Sequence, residues 1–351
     1  MREAGYIPKD ALKPFLESLA KRFTLWAPCK DGETITFQPY RDGSDICLDR
    51  PANAAPKGVI FPQSEALFTF ALRKSPEDPR KVDVALDAQV PAGEAAIIAG
   101  RPCDAKGFLI LDPVYMDADP YYKSRREKTT IITLACPHPY PGCFCTSVEG
   151  GPADTAGSDV LMTELKGGYF LEAVTDKGNA VLADKAVQDG APHRQEAEKR
   201  HKAAYDKVKK AFSGGRGVRI SEERFLSDEF WEEVTAKCLS CGACTYLCPT
   251  CYCFNITDEK AVDKGERVRS WDSCMFQHFT QETSGHNPRP KKAPRFKQRV
   301  GHKFVYYPEK YGELACSGCG RCIRYCPIGM EISKVVARLS DEGDASKKEG
   351  T

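Results

Sequence analysis

Two stretches of this chain carry cysteines at one spacing. The first is Cys238-Leu-Ser-Cys241-Gly-Ala-Cys244-Thr-Tyr-Leu-Cys248-Pro249, and the second is Cys316-Ser-Gly-Cys319-Gly-Arg-Cys322-Ile-Arg-Tyr-Cys326-Pro327. Both read C-x2-C-x2-C-x3-C-P, the run that holds [4Fe–4S] clusters in bacterial two-cluster ferredoxins. Three closely spaced thiolates wrap a tight loop around three corners of a cubane. Small residues such as Gly242, Gly318 and Gly320 let backbone approach the cluster sulfides. The fourth thiolate falls at a helix start, where proline is tolerated because no N–H donor is needed. In two-cluster proteins the fourth cysteine of each run serves the other cluster. The spacing therefore predicts one cluster on Cys238, Cys241, Cys244 and Cys326, and a second on Cys316, Cys319, Cys322 and Cys248. Structural zinc takes its ligands as two separated pairs, which these runs fit poorly.

Of the 17 cysteines, nine lie outside the two runs. Cys103, Cys136, Cys143 and Cys145 occupy loop positions beside predicted strand ends and make a candidate third iron–sulfur site. A four-cysteine zinc site and inert buried thiols are the competing readings. Cys251, Cys253 and Cys274 follow the first run and are one ligand short of a separate cluster. They are expected to pack beside the first cluster or to hydrogen-bond to it, where such groups tune potential. Cys29 and Cys47 carry no motif and are read as structural.

The rest of the composition limits what these cysteines do. The chain has 351 residues, 41% hydrophobic and 28% charged, so it is a folded globular protein of two or three domains. Its 51 basic and 49 acidic residues balance to +2, which excludes a dedicated nucleic-acid binder. The longest stretch free of charge, 129–148, is broken by Pro137, Pro139 and Pro141 and cannot cross lipid as a helix. The N-terminus has no apolar signal-peptide core, so a cytoplasmic protein is expected, where abundant cysteine means metal or redox chemistry. No dinucleotide fingerprint, P-loop, His-Glu-x-x-His, nucleophile elbow or kinase motif appears. Clusters without a substrate motif describe a relay, which needs a partner at each end. The competing reading is a catalytic reductase subunit that binds its own small substrate or flavin in the N-terminal domain.

The positioning elements follow from patterning. Residues 10–23 have a helical apolar face, and 94–99 and 128–135 are short β-branched runs that predict buried strands. A short helix is expected over 104–111 and a hairpin over 159–175, turning at Lys166-Gly-Gly168. Residues 194–212 read as a solvated connector helix followed by the flexible break Ser213–Gly217. A helix over 221–237 leads into the first cysteine run, and 330–339 forms another after the second. The fold class expected is α+β: an N-terminal α/β domain (1–190) and a connector (191–220), then an all-helical dicluster ferredoxin-like domain (221–340) and a disordered tail (341–351). The acid-free basic stretch Arg289, Lys291, Lys292, Arg295, Lys297, Arg299, Lys303 is expected to be a solvated face. Docking an acidic partner or balancing cluster charge is the alternative.

Cys238–Cys253 with its Cys-Pro-Thr-Cys-Tyr-Cys-Phe ending, Trp271-Asp-Ser-Cys274, the basic segment and Cys316–Pro327 resemble a family of 4Fe–4S dicluster electron-transfer subunits. The family includes the β subunit of sulfhydrogenases (NiFe hydrogenases), the A component of anaerobic sulfite reductase, and iron–sulfur proteins associated with heterodisulfide reductase. Gly100-Arg-Pro-Cys-Asp104, Asp119-Pro-Tyr-Tyr122, Gly142-Cys-Phe-Cys145 and Gly150-Gly-Pro152 share the likeness, which spans roughly 95–340. The resemblance implies a bridging subunit. Electrons would pass between a flavin- and NAD(P)H-binding reductase subunit on one side and a hydrogenase, sulfite reductase or heterodisulfide-reductase-type subunit on the other. It also favours a third [4Fe–4S] cluster on Cys103, Cys136, Cys143 and Cys145.

Overall fold

The computed structural model describes residues 4–78 and 80–340; the tail expected to be disordered lies outside them. The strands are β1 (Ala4–Pro8), β2 (Thr24–Asp31), β3 (Thr34–Pro39), β4 (Ser64–Lys74), β5 (Val82–Ala88) and β6 (Ala95–Gly100). They continue with β7 (Thr129–Leu134), β8 (Val160–Glu164), β9 (Gly168–Ala173), β10 (Gln188–Asp189), β11 (Phe254–Ala261) and β12 (Lys264–Trp271). Eight of them form a mixed sheet in the order β10-β1-β9-β8-β7-β6-β2-β3, parallel across β2, β6, β7 and β8. β6 is apolar, β7 mixes threonine with isoleucine and leucine, and both are buried on both faces, as parallel strands covered by helices must be.

One face is covered by the helix Leu12–Arg22, which inserts Phe15, Leu16 and Leu19, and by Asp176–Leu182. The other is covered by Pro102–Tyr115, whose Ala105, Phe108 and Leu111 pack on Ile97 and Ile131. Each fully buried Leu or Phe contributes about 1.5–3 kcal/mol. The helix Pro102–Tyr115 runs longer than the predicted 104–111. It starts with proline in its first turn and a capping box in which Asp104 accepts from the Arg101 N–H at 2.9 Å. The hairpin over 159–175 is present as β8 and β9.

The second sheet corrects the expectation of an all-helical C-terminal domain. Between the two cysteine runs the chain forms the hairpin β11–β12, which adds to β4 and β5 as a four-stranded antiparallel sheet. Its register places Ile256, Thr257 and Val268 at the β-branched positions that favour strands; the lysines and glutamates between them had suggested a helix. Helices do surround the cysteine runs: Ala243–Tyr246, Lys292–Gly301, Arg321–Arg324 and Ile332–Leu339.

Two further segments depart from expectation. The connector helix ends at Tyr205, and Phe212 beyond it is buried against Phe144 and Phe304. The glycine-rich break that follows is tied down, because Arg216 pairs with both Glu149 and Glu313. The helix expected over 221–237 is split in two, since the Ser221 and Ser227 side chains each cap a new start.

Candidate metal centres

Both runs turn tightly through left-handed glycines into a one-turn helix: Gly242 before Ala243–Tyr246 and Gly320 before Arg321–Arg324. That geometry folds the first three cysteines of each run around one point. The fourth arrives from the other run. Cys238, Cys241, Cys244 and Cys326 line one cavity, together with Met275, Phe296, Arg299 and Cys322. Cys316, Cys319, Cys322 and Cys248 line a second, together with Phe144, Arg299, Lys303 and Ile332. Cys322 lines both cavities. Among the described residues no group of three or more His, Cys, Asp or Glu side chains is spaced for a single metal ion.

The surroundings fit an anionic group. Arg299 and Lys303, both buried, reach in, and among the described residues no carboxylate pairs with either. Arg299 donates to the Cys244 carbonyl at 3.1 Å, and its Nε has no hydrogen-bond partner, nor does Ser317 Oγ in the second cavity. Lys303 Nζ lies 3.6 Å from Cys248 Sγ, 2.7 Å from Thr250 Oγ1 and 2.9 Å from the Ala315 carbonyl. Burial opposes charge on Lys303, but Cys248, Cys251 and Cys316 outweigh it and hold its pKa well above the ordinary lysine value. Burial pushes the Cys316 thiol up to about 11 and Cys322 up to about 12 despite these cations. Coordination to iron is the stronger positive field that draws such thiols into the thiolate form.

The basic stretch is therefore only partly a solvated face. Arg295, Arg299 and Lys303 recur at four-residue intervals and point inward from Lys292–Gly301 and the π-helical turn His302–Tyr306. That spacing was the signal in the sequence that three of the seven cations shared a buried face.

The N-terminal four cysteines come from the carboxyl ends of β6 and β7 and from the loop beyond, the place where open α/β sheets bind ligands. Cys103 sits in the first turn of Pro102–Tyr115, and Cys136 follows β7. Cys136 lies within electrostatic reach of Cys103, Cys143 and Cys145. Burial pushes Cys136 up to about 11, with Arg101 opposing, and Cys145 up to about 12. Arg101 Nε and Thr146 Oγ1 are buried without partners beside this group.

This group is locked onto the second run. The Cys143 thiol points to the Cys319 carbonyl at 3.5 Å, and Phe144 N–H donates to the Gly318 carbonyl at 2.9 Å. Gly318 has φ +64°, and a Cβ there would stand 2.6 Å from Cys145 Cα. Arg321 crosses to Asp104 with contacts of 2.5 and 3.1 Å, both residues almost wholly buried. Nothing in the sequence marked Arg321 and Asp104 as a pair beside the thiol sites, because their contact is long-range.

Of Cys251, Cys253 and Cys274, none lines the first cavity, but Cys274 packs against the apolar cluster that holds the cavity's Met275 and Phe296. The Cys251 carbonyl accepts from Lys57 at 2.8 Å, and the Cys253 carbonyl accepts from the Asp272 N–H at 2.9 Å. Cys29 and Cys47 are buried in apolar clusters of the main sheet.

Twin thiol-ringed cavities with crossed fourth cysteines define a two-cluster iron–sulfur protein. Residues 237–330 match the family model described as a 4Fe-4S dicluster domain. The domain carries two [4Fe–4S] clusters, and its work is electron transfer. Sulfhydrogenase 2 subunit beta of Pyrococcus furiosus is 29% identical over 339 residues, 93% of this chain and 95% of that protein. The F420-dependent formate dehydrogenase subunit beta of Methanocaldococcus jannaschii is 22% identical over 179 residues, 50% of this chain and 39% of that protein. The F420-dependent formate dehydrogenase 1 subunit beta of Methanococcus maripaludis is 32% identical over 104 residues, 28% of this chain and 26% of that protein. No solved structure matches. No helix among the described residues is long and apolar enough to cross a membrane.

Proposed function

We propose that the chain is the electron-relay subunit of a sulfhydrogenase-type oxidoreductase complex in the cytoplasm. It passes electrons between a flavin- and NAD(P)H-binding reductase subunit on one side and a catalytic hydrogenase-type subunit on the other. The ligand sets are Cys238, Cys241, Cys244 and Cys326 for one cluster, and Cys316, Cys319, Cys322 and Cys248 for the other. A third [4Fe–4S] cluster is held by Cys103, Cys136, Cys143 and Cys145. When bound, such clusters take up and release single electrons. The chain's own residues hold them in series, balance their charge with Arg299 and Lys303, and exclude water with Phe144, Phe296 and Met275.

The observation that carries this reading is the contiguity of the three thiol groups. Cys322 and Arg299 line both cavities of the dicluster part, and Cys143 abuts the backbone of Cys319. The first cavity reaches the surface, where Cys241 is exposed and Leu239 is 65% exposed, which supplies a port for one partner. A full-length sulfhydrogenase β relative, matched nearly end to end, supports the choice of complex. Iron and acid-labile sulfide analysis of anaerobically purified chain tests the reading. About 12 irons per chain are expected, falling to about eight in Cys136→Ser or Cys145→Ser, as four-iron clusters require. Eight irons in all three proteins would remove the third cluster and leave the other two.

A further inference from the structure

The second sheet ends in two unlike edges, β11 and β5. β11 carries Asp258, Glu259 and Lys260 in sequence, and Asp258 pairs with Arg267 of β12 at 2.7 Å. Charges packed this densely keep an edge strand from pairing further. β5 is built differently. Its residues Val-Asp-Val-Ala-Leu-Asp-Ala include no lysine, proline or glycine, and its register on β4 runs without a bulge from Val82 opposite Lys74 to Ala88 opposite Phe68. Among the described residues no strand pairs with its outer side, so that side offers a regular row of backbone N–H and C=O groups. Every residue of β5 is exposed, Val82, Val84 and Leu86 at 57%, 58% and 65%.

Alternation sorts β5 into two faces. Val82, Val84, Leu86 and Ala88 share one, where Leu72 and Phe70 of β4 stand opposite Val84 and Leu86. Asp83, Ala85 and Asp87 share the other with Lys81, which precedes the strand. Among the described residues Lys81 forms no ion pair, while its neighbour Arg80 takes Asp78 at 3.0 Å. Asp87 accepts from Gln89 at Oδ2, 2.7 Å away, which leaves Oδ1 for a cation. A second copy of the chain fits these groups. A twofold axis normal to the sheet sets two β5 strands antiparallel, and like faces meet only where paired residues are both odd or both even. Registers centred on Asp83, Ala85 or Asp87 put aspartate against aspartate, which is destabilising. Centred on Val82 the strands barely overlap, and centred on Leu86 they leave Lys81 facing Pro91. The register centred on Val84 sets Val82 against Leu86, Asp83 against Ala85 and Lys81 against Asp87, twice over.

We propose that β5 pairs antiparallel with β5 of a second copy of this chain, in the register centred on Val84, and joins the two second sheets into one. Lys81 of each copy then faces Asp87 of the other, and Val82, Val84 and Leu86 of both copies form one apolar row across the seam. No cysteine lies in β5, so the pairing brings two relays into one assembly and leaves each intact. Strands this short bury less than a standard interface, so the dimer is reversible and forms between about 1 and 100 µM.

The test uses the full-length, cluster-loaded chain under anaerobic conditions. Sedimentation across that concentration range should show the mass rising from one chain to two. A water-soluble carbodiimide, which joins an amine to a carboxylate with no spacer, should then link Lys81 to Asp87. Within one copy these residues lie about 20 Å apart along the strand, so the product forms only between copies. In a mixture of unlabelled and isotope-labelled chain, mass spectrometry should find it with one peptide from each. Val84→Lys sets a lysine against itself at the seam and should leave the chain monomeric with wild-type iron content. Asp87→Lys should weaken the dimer about tenfold, and adding Lys81→Asp should restore it. A wild-type chain still monomeric at about 100 µM, a dimer unmoved by Val84→Lys, or a dimer that gives no Lys81–Asp87 product overturns the proposal. So do β5 amides that gain protection from hydrogen exchange only when a hydrogenase-type subunit is added, since the edge then belongs to that partner.

Discussion

Replacing Lys303 by Met removes one buried positive charge while keeping a side chain of similar length. The ammonium lies 3.6 Å from Cys248 Sγ, and among the described residues no carboxylate pairs with it, so its field falls on the second thiol group. Two unit charges at that distance interact by about 4.6 kcal/mol at an effective dielectric of ~20. An electron added to a cluster there spreads over atoms further from Nζ, which lowers the figure to roughly 2 kcal/mol. A tenfold change, about 1.4 kcal/mol, corresponds to about 59 mV for one electron, so the expected shift is about 80 mV. Its sign is fixed, because the reduced cluster is the more negative state. Losing the cation makes reduction harder and moves the potential down. An EPR-monitored redox titration of wild-type and Lys303→Met protein at equal iron content measures it, and Lys303→Arg should stay within about 25 mV of wild type. A shift below about 20 mV, or an upward one, in fully loaded protein refutes the assignment of Lys303 as the charge balancing this site.

Three other perturbations follow from named contacts. Arg321→Met leaves the Asp104 carboxylate buried without its guanidinium, and should destabilise the cluster-loaded protein by about 3–5 kcal/mol in anaerobic urea unfolding; a loss under about 1 kcal/mol would contradict the role given to this pair. Gly318→Ala forces a Cβ toward Cys145 Cα from a left-handed backbone, and should cost about 2 kcal/mol or more and lower the iron held by the N-terminal group first. Burial, with Lys303 adding, holds His302 down to about 4, and its ring hydrogen-bonds to the Tyr252 hydroxyl at 2.7 Å. Its folded pKa lies below the ordinary value of 6.5, so its contribution is complete above pH 6.5. It is lost as pH falls towards 4, by about 2–3 kcal/mol in all. The loss should level off below pH 4, and His302→Gln should flatten that part of the stability profile.

The two-cluster character was legible because the cysteine spacing is local. Eleven residues with a fixed cysteine spacing specify a loop and a helix start, and two such runs predict a crossed fourth ligand. The parallel strands before Cys103 and Cys136 were legible for the same reason, as short β-branched runs with turn residues after them. What the sequence hid depends on contacts far apart in the chain. The β11–β12 hairpin is a strand because β4 offers an edge to pair with, and its lysines and glutamates alone do not say so. Arg295, Arg299 and Lys303 read as a solvated face until the thiols on the other side of the helix are in place. Lys57 reaches Cys251 across 194 residues, and Arg321 reaches Asp104 across 217, separations no local pattern encodes. Cys253 and Cys274 sit in different segments, and only the hairpin register brings both to the open end of β11–β12.

The central claim is that this chain holds its clusters in one connected series. Iron and sulfide quantification joined to EPR of the anaerobically reduced full-length protein tests it most directly. The account predicts about 12 irons and 12 sulfides per chain, with reduced-cluster signals broadened by spin coupling between neighbouring centres. Fewer than about eight irons, or fully loaded clusters whose signals remain magnetically isolated, would contradict it.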